Sequence, residues 1–91
     1  MNDDNIKNFI NNIAKLKWGC RRGMLELDVL LGNFLEKAYS ELPDADKALF
    51  VRLLEQSDPE LFDWLMGYAE PQDEGLLKIT ELIRRHARSG V

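Results

Sequence analysis

Most of the side chains that could do chemistry lie within eleven consecutive positions. Trp18, Arg21, Arg22, Gly23, Met24, Glu26 and Asp28 all fall between residues 18 and 28 of the 91-residue chain. A guanidinium such as that of Arg22 presents a planar fork that fits a carboxylate or a phosphate. Gly23 has no side chain and lets another backbone approach. Glu26 and Asp28 accept hydrogen bonds, while Trp18 and Met24 supply apolar area. Aromatic, Met and Arg side chains are the types enriched at the centres of protein interfaces. Two readings fit this segment. In one it is a recognition edge for another polypeptide. In the other it is structural: Gly23 caps a helix, Glu26 at the third helical position satisfies a free backbone N–H, and Arg22 pairs with Glu26 four residues on. An exposed pair of that kind contributes only about 0.3–0.5 kcal/mol, which gives little reason for two adjacent arginines.

Elsewhere reactive groups are sparse. Cys20 is the single cysteine and His86 the single histidine, so neither an internal disulfide nor a cysteine-based zinc site is expected. Arg21 and Arg22 beside Cys20 would favour a thiolate, but no histidine is paired with it, and an inert thiol is the plainer reading. His86 follows Leu82 and Ile83 on one helical stripe and reads as a partly buried ring at the negative end of a helix dipole. No GxGxxG and no P-loop glycine pattern is present. The residues therefore nominate no catalytic group, no metal site and no cofactor of the chain's own, and an enzyme is not expected.

Charge is unevenly placed. Residues 1–22 carry five basic side chains against two acidic, residues 23–74 three against thirteen, and residues 75–91 four against one, for a net −4. Two basic ends flank an acidic middle, which argues against a nucleic-acid partner. Apolar residues at 45% and charged residues at 31% are the balance of a soluble globular chain. No run approaches the roughly 20 apolar residues of a membrane span. The acidic, polar start Met1-Asn2-Asp3-Asp4 resembles no signal or transit sequence, so a cytoplasmic location is expected.

The elements that must carry these residues are helices. Apolar spacing predicts one helix over about 4–17 (Ile6, Phe9 or Ile10, Ile13, Leu16) and a second over about 23–40 (Met24, Leu27, Leu30 or Leu31, Phe34, Leu35, Ala38). Gly32 inside the second suggests close packing by a neighbouring helix. Pro43 breaks the chain. A third helix is predicted over about 44–56, burying Leu49, Phe50, Leu53 and Leu54. A fourth covers about 59–66, with Asp58 as N-cap, Pro59 at the first position and Gly67 as its end; it buries Leu61, Trp64 or Leu65, and Tyr68. A fifth over about 73–87 carries Leu76, Ile79, Leu82, Ile83 and His86. The expected fold is all-α, a small antiparallel bundle of about five helices forming one domain over residues 1–91.

Arg22-Gly23-Met24-Leu25-Glu26 resembles the RGxxE motif of the SdhE flavinylation and assembly factors. The likeness includes Trp18, Arg21 and Asp28, then Phe34-Leu35-Glu36 and Tyr39. It continues through Phe50-Val51-Arg52-Leu53-Leu54-Glu55, the run from Asp58-Pro59-Glu60 to Met66-Gly67, and Pro71-Gln72-Asp73. Gly19 departs from the larger residue expected there. The resemblance implies a five-helix bundle that binds the flavoprotein subunit of succinate dehydrogenase or fumarate reductase and promotes covalent attachment of that partner's FAD to a partner histidine. It carries the motif's roles onto Arg22, Gly23 and Glu26, so Arg22→Ala, Gly23→Arg and Glu26→Ala are expected to lower flavinylation with the fold intact. The alternative is an antitoxin-like regulator that uses the same surface to bind a membrane-associated toxin. Exposed Trp18 and Met24 could also bring two copies together as a homodimer.

Overall fold

The computed structural model describes residues 3–89, with side chains from residue 7 onward. Six α-helices run in order: α1 (Asp3–Asn11), α2 (Ile13–Gly19), α3 (Leu25–Lys37), α4 (Asp44–Leu54), α5 (Asp58–Met66) and α6 (Glu74–Arg88), with a 3-10 turn at Tyr39–Glu41 between α3 and α4. Among the described residues there is no strand. The fold is a small helical bundle, with one more helix than expected because the predicted first helix is two.

The division falls at Asn12. Its side-chain oxygen accepts a hydrogen bond from the backbone N–H of Lys15 at 3.2 Å, the capping contact that starts a new helix. The break re-aims the apolar stripe. Ile10 and Leu16 are buried, but Phe9 and Ile13 are 45% and 42% exposed; Ile6 lies outside the described side chains. Tyr39 ties the end of α1 down, its hydroxyl donating to the Ile10 carbonyl oxygen at 2.6 Å in the interior.

The core draws Leu27, Leu31, Phe34 and Leu35 from α3, Phe50 and Leu53 from α4, Leu61, Trp64 and Leu65 from α5, and Leu76, Ile79 and Ile83 from α6. Helix α6 packs against α3, α4 and α5, so it is the element around which the others gather. Phe34 stacks on Phe50 with ring centres 5.6 Å apart, linking α3 to α4. Burying a side chain of this kind is worth roughly 1.5–3 kcal/mol.

Three local expectations are corrected. Ser57, not Asp58, caps α5: its hydroxyl oxygen accepts from the Glu60 N–H and donates to the Glu60 carboxylate, while Asp58 becomes the first helical residue. Tyr68 follows the left-handed residue Gly67 that ends α5 and stands exposed, its ring resting on Phe62 at 6.0 Å. Around Gly32 an added Cβ would meet open space; the tight approach between helices is at Gly75, where a Cβ would sit 2.7 Å from Leu49 Cδ2.

Candidate functional site

Residues 18–28 form the junction between α2 and α3, and the geometry starts from the backbone. Helix α2 ends at Gly19 and α3 begins at Leu25, with Met24 as an extended N-cap residue that offers no side-chain cap. Gly23 turns the chain with φ of +83°, a left-handed conformation that costs an L side chain roughly 1–2 kcal/mol. The Asp28 carboxylate reaches back from the first turn of α3 and accepts the Arg22 backbone N–H at 2.6 Å, closing the loop over its own helix start.

Arg22 points inward. Its Nε donates to Asp58 Oδ1 at 2.7 Å, Nη1 to the carbonyls of Gly19 at 3.0 Å and Leu54 at 2.9 Å, and Nη2 to the carbonyl of Gln56 at 2.7 Å. The last carbonyls of a helix have no partner within it and form the negative end of its dipole. Here the ends of α2 and α4 both present such carbonyls to one guanidinium, and Asp58 from the start of α5 neutralises its charge. Only 16% of the Arg22 side chain is exposed. The expected Arg22–Glu26 pair is therefore not formed, because four acceptors on other elements, one of them a carboxylate, together hold the fork. Glu26 is exposed on the first turn of α3, and the helix-capping role considered for it is not seen.

Outside this clip lies an open edge. Trp18 is 73% exposed, and the Arg21 guanidinium lies 5.8 Å from the centre of its ring, a cation–π contact on the outer surface. Leu25 is also 73% exposed and Val29 48%. Spaced four apart, they form a stripe on α3 directed away from the core. An added Cβ at Gly23 would meet nothing within 4 Å, so the turn is open on its outer side. Met24 is half-buried and packs against the core from this edge.

Cys20 lies behind the edge, 3% exposed. Burial pushes its thiol up to about 11; the Arg22 charge works in the opposite direction and the Asp28 charge adds to the rise. Desolvation outweighs the Arg22 charge, so a thiolate is disfavoured. His86 is half-buried in the last turn of α6, edge-on to Phe34 at 5.6 Å. Among the described residues no group of three or more His, Cys, Asp or Glu side chains is arranged to hold a metal ion, and no helix is long and apolar enough to cross a membrane.

Residues 14–87, from α2 to the end of α6, match the family described as flavinator of succinate dehydrogenase. The chain belongs to that family. Among the relatives of this flavinator-family chain is the FAD assembly factor SdhE of Shewanella oneidensis, 51% identical over 76 residues that span 84% of this chain and 93% of the relative. The FAD assembly factor SdhE of Yersinia pestis is 49% identical over 84 residues, 90% of this chain and 96% of the relative. The solution structure of a UPF0350 protein superposes with a TM-score of 0.71 at 40% identity, covering all of this chain and 90% of the other.

In the flavinator-family chain the seven residues singled out from sequence do occupy one junction, but in two layers. Trp18, Arg21, Gly23, Met24 and Glu26 border its outer side. Arg22 and Asp28 hold it together from within. Sequence reasoning missed Asp58, Leu54 and Gln56, which anchor Arg22, and the exposed pair Leu25 and Val29. Only the pair left a readable signal: both positions fall off the α3 core stripe.

Proposed function

We propose that the chain binds the flavoprotein subunit of succinate dehydrogenase, or of fumarate reductase, and promotes covalent attachment of FAD to that subunit. The chemistry belongs to the partner. The chain supplies a rigid edge that holds mobile partner segments so that flavin and acceptor histidine meet, and positioning alone can lower a barrier substantially. Family membership supports the assembly role, in agreement with the names of the relatives. The single observation that supports this edge as the binding surface is the exposure of Trp18, with Arg21 laid on its ring, beside a turn locked from beneath by Arg22. An indole held at the rim of a rigid junction is the kind of anchor on which interfaces concentrate their energy.

In this reading Arg22 and Asp28 are positioning residues, and the partner touches Trp18, Arg21, Gly23, Met24 and Glu26. The FAD is the partner's, and the chain needs no cofactor of its own. The reading places the chain in the cytoplasm with its client. The test is in vitro flavinylation of the apo flavoprotein subunit by wild type, Trp18→Ala and Glu26→Ala, with circular dichroism to establish that each variant is folded. The expected result is folded variants that load less covalent flavin. Folded variants that match wild type in both rate and yield would remove the edge from the mechanism.

A further inference from the structure

Gly32 lies in the interior of α3, where glycine is the poorest helix former after proline. Every other glycine among the described residues has a reason within the chain itself. Gly23 and Gly67 take left-handed backbone. A Cβ on Gly19 would sit 3.1 Å from Leu54 Cδ1, and one on Gly75 2.7 Å from Leu49 Cδ2. Gly32 has right-handed helical backbone, and a Cβ there would meet nothing within 4 Å. The close approach of a neighbouring helix that its place in the sequence suggests is not made inside this chain.

Its position on the helix is specific. Leu25, Val29, Gly32 and Glu36 fall at i, i+4, i+7 and i+11, a single line along α3. Leu27, Leu31 and Phe34 occupy the opposite side and are buried in the core. Leu25, Val29 and Glu36 are all exposed. Leu25 follows Met24 directly, so the line starts at the outer edge of the junction and reaches Gly32 about 10 Å further along the axis. Leu25 and Val29 form a low ridge, and the missing side chain at Gly32 leaves a notch beside it. The plain alternative is that an exposed site tolerates a poor helix former. On that view alanine at position 32 improves the chain and harms nothing.

We infer that the outer line Leu25–Val29–Gly32 of α3 seats a helix of the partner flavoprotein subunit, with a bulky apolar side chain of that helix set into the notch at Gly32. The inference rests on the proposed binding of that subunit and extends its contact from the junction along α3. A ridge beside a gap at helical spacing is the relief into which the ridges of a second helix pack, and a residue without a side chain lets the two backbones approach. A second copy of the chain is the weaker occupant. Leu25 and Val29 alone offer far less than the roughly 800 Å² per partner of a stable interface. The line therefore works as the continuation of a larger contact, and the edge at Trp18 and Met24 runs directly into it.

The test pairs thermal melts of the full-length chain with calorimetric binding to the apo flavoprotein subunit of succinate dehydrogenase. The variants are Gly32→Ala and Gly32→Leu, both of which place atoms in open space. Both replacements are better helix formers, so Gly32→Ala should raise Tm by about 4–8 °C and Gly32→Leu should hold it at or above wild type. Binding should move the other way, weakened about threefold or more by Gly32→Ala and about tenfold or more by Gly32→Leu. Binding by both variants equal to wild type, with Trp18→Ala impaired, would overturn the α3 line and leave the junction reading standing. Weaker binding together with a lower Tm would show that the chain itself needs the glycine, and would also overturn it. Unchanged subunit binding with a lower sedimentation coefficient of the chain would assign the line to a second copy and overturn it likewise. Failure of wild type itself to bind would instead overturn the proposed function on which the line depends.

Discussion

Arg22 donates from Nε to Asp58 Oδ1 at 2.7 Å across 36 positions of sequence, and in doing so joins three helix termini at one guanidinium. The same side chain takes up carbonyls at Gly19, Leu54 and Gln56. A fork that could have faced a partner is instead the fastener beneath the surface offered to one.

Removing that fastener should loosen the fold, contrary to the sequence-based expectation that Arg22→Ala is structurally silent. Hydrogen bonds to a charged group are each worth about 1.5–3 kcal/mol, and truncation strands several part-buried carbonyls. Arg22→Ala should cost roughly 2–4 kcal/mol, a fall in Tm of roughly 10–20 °C for a domain this small. Arg22→Lys keeps the charge but cannot serve four acceptors in a plane, so it should recover less than half of the loss. Thermal unfolding by circular dichroism measures both, and an unchanged Tm for Arg22→Ala would contradict the clip.

The outer residues should behave in the opposite way. Trp18 and Leu25 are mostly exposed, so Trp18→Ala and Leu25→Ser should each change stability by no more than about 0.5 kcal/mol. Trp18→Ala should nevertheless weaken binding to the flavoprotein subunit by about tenfold or more, in the range of a central interface aromatic. Calorimetric titration alongside thermal melts separates the two effects.

How much of this is legible in the sequence depends on where each interaction partner resides. Helix faces repeat every three to four residues, so apolar spacing alone assigns Leu27, Phe34 and Leu35 to the core, where all three are buried, but leaves Leu30 and Leu31 undivided until the structure buries Leu31. The break at Asn12 has a weak signal, a capping residue inside a continuous apolar pattern. The anchoring of Arg22 has almost none. Three of its acceptors are backbone carbonyls, which carry no side-chain signature, and the fourth, Asp58, reads locally as a helix start. The acidic neighbour four residues on looks the simpler partner, although an exposed pair is worth far less than a cluster at converging helix ends.

Alkaline pH should destabilise the fold through two buried donors. Burial raises the Cys20 thiol to about 11, and burial with the nearby Asp44 charge raises the Tyr39 hydroxyl to about 12. In the unfolded chain both groups ionise at lower pH, so their contribution is intact below about 9 and is lost as pH rises through about 11 and 12. Ionised Tyr39 also has no proton to donate to the Ile10 carbonyl. Tm measured from pH 8 to 11 should fall, and Cys20→Ala should fall less steeply over that window. Parallel curves would contradict the burial of the thiol.

Tyr39→Phe isolates the tie between α1 and the turn after α3. It removes one buried hydrogen bond and leaves the Ile10 carbonyl oxygen without that donor, which should cost about 1–3 kcal/mol. Amide hydrogen exchange should show the loss of protection concentrated in α1, because Tyr39 pins that helix's last turn. Uniform loss across α3 to α6 would show that the hydroxyl supports the whole core.

The division of the junction into an outer edge and an inner clip is tested directly by initial-rate flavinylation of the apo subunit, read as covalent flavin fluorescence in denaturing gels. Trp18→Ala should lower the rate at wild-type Tm and remain slow at every temperature. Arg22→Lys should recover toward wild-type rate as the assay is cooled well below its reduced Tm. An Arg22→Lys protein that stays inactive while fully folded, beside a fully active Trp18→Ala, would reverse the two roles and contradict that division.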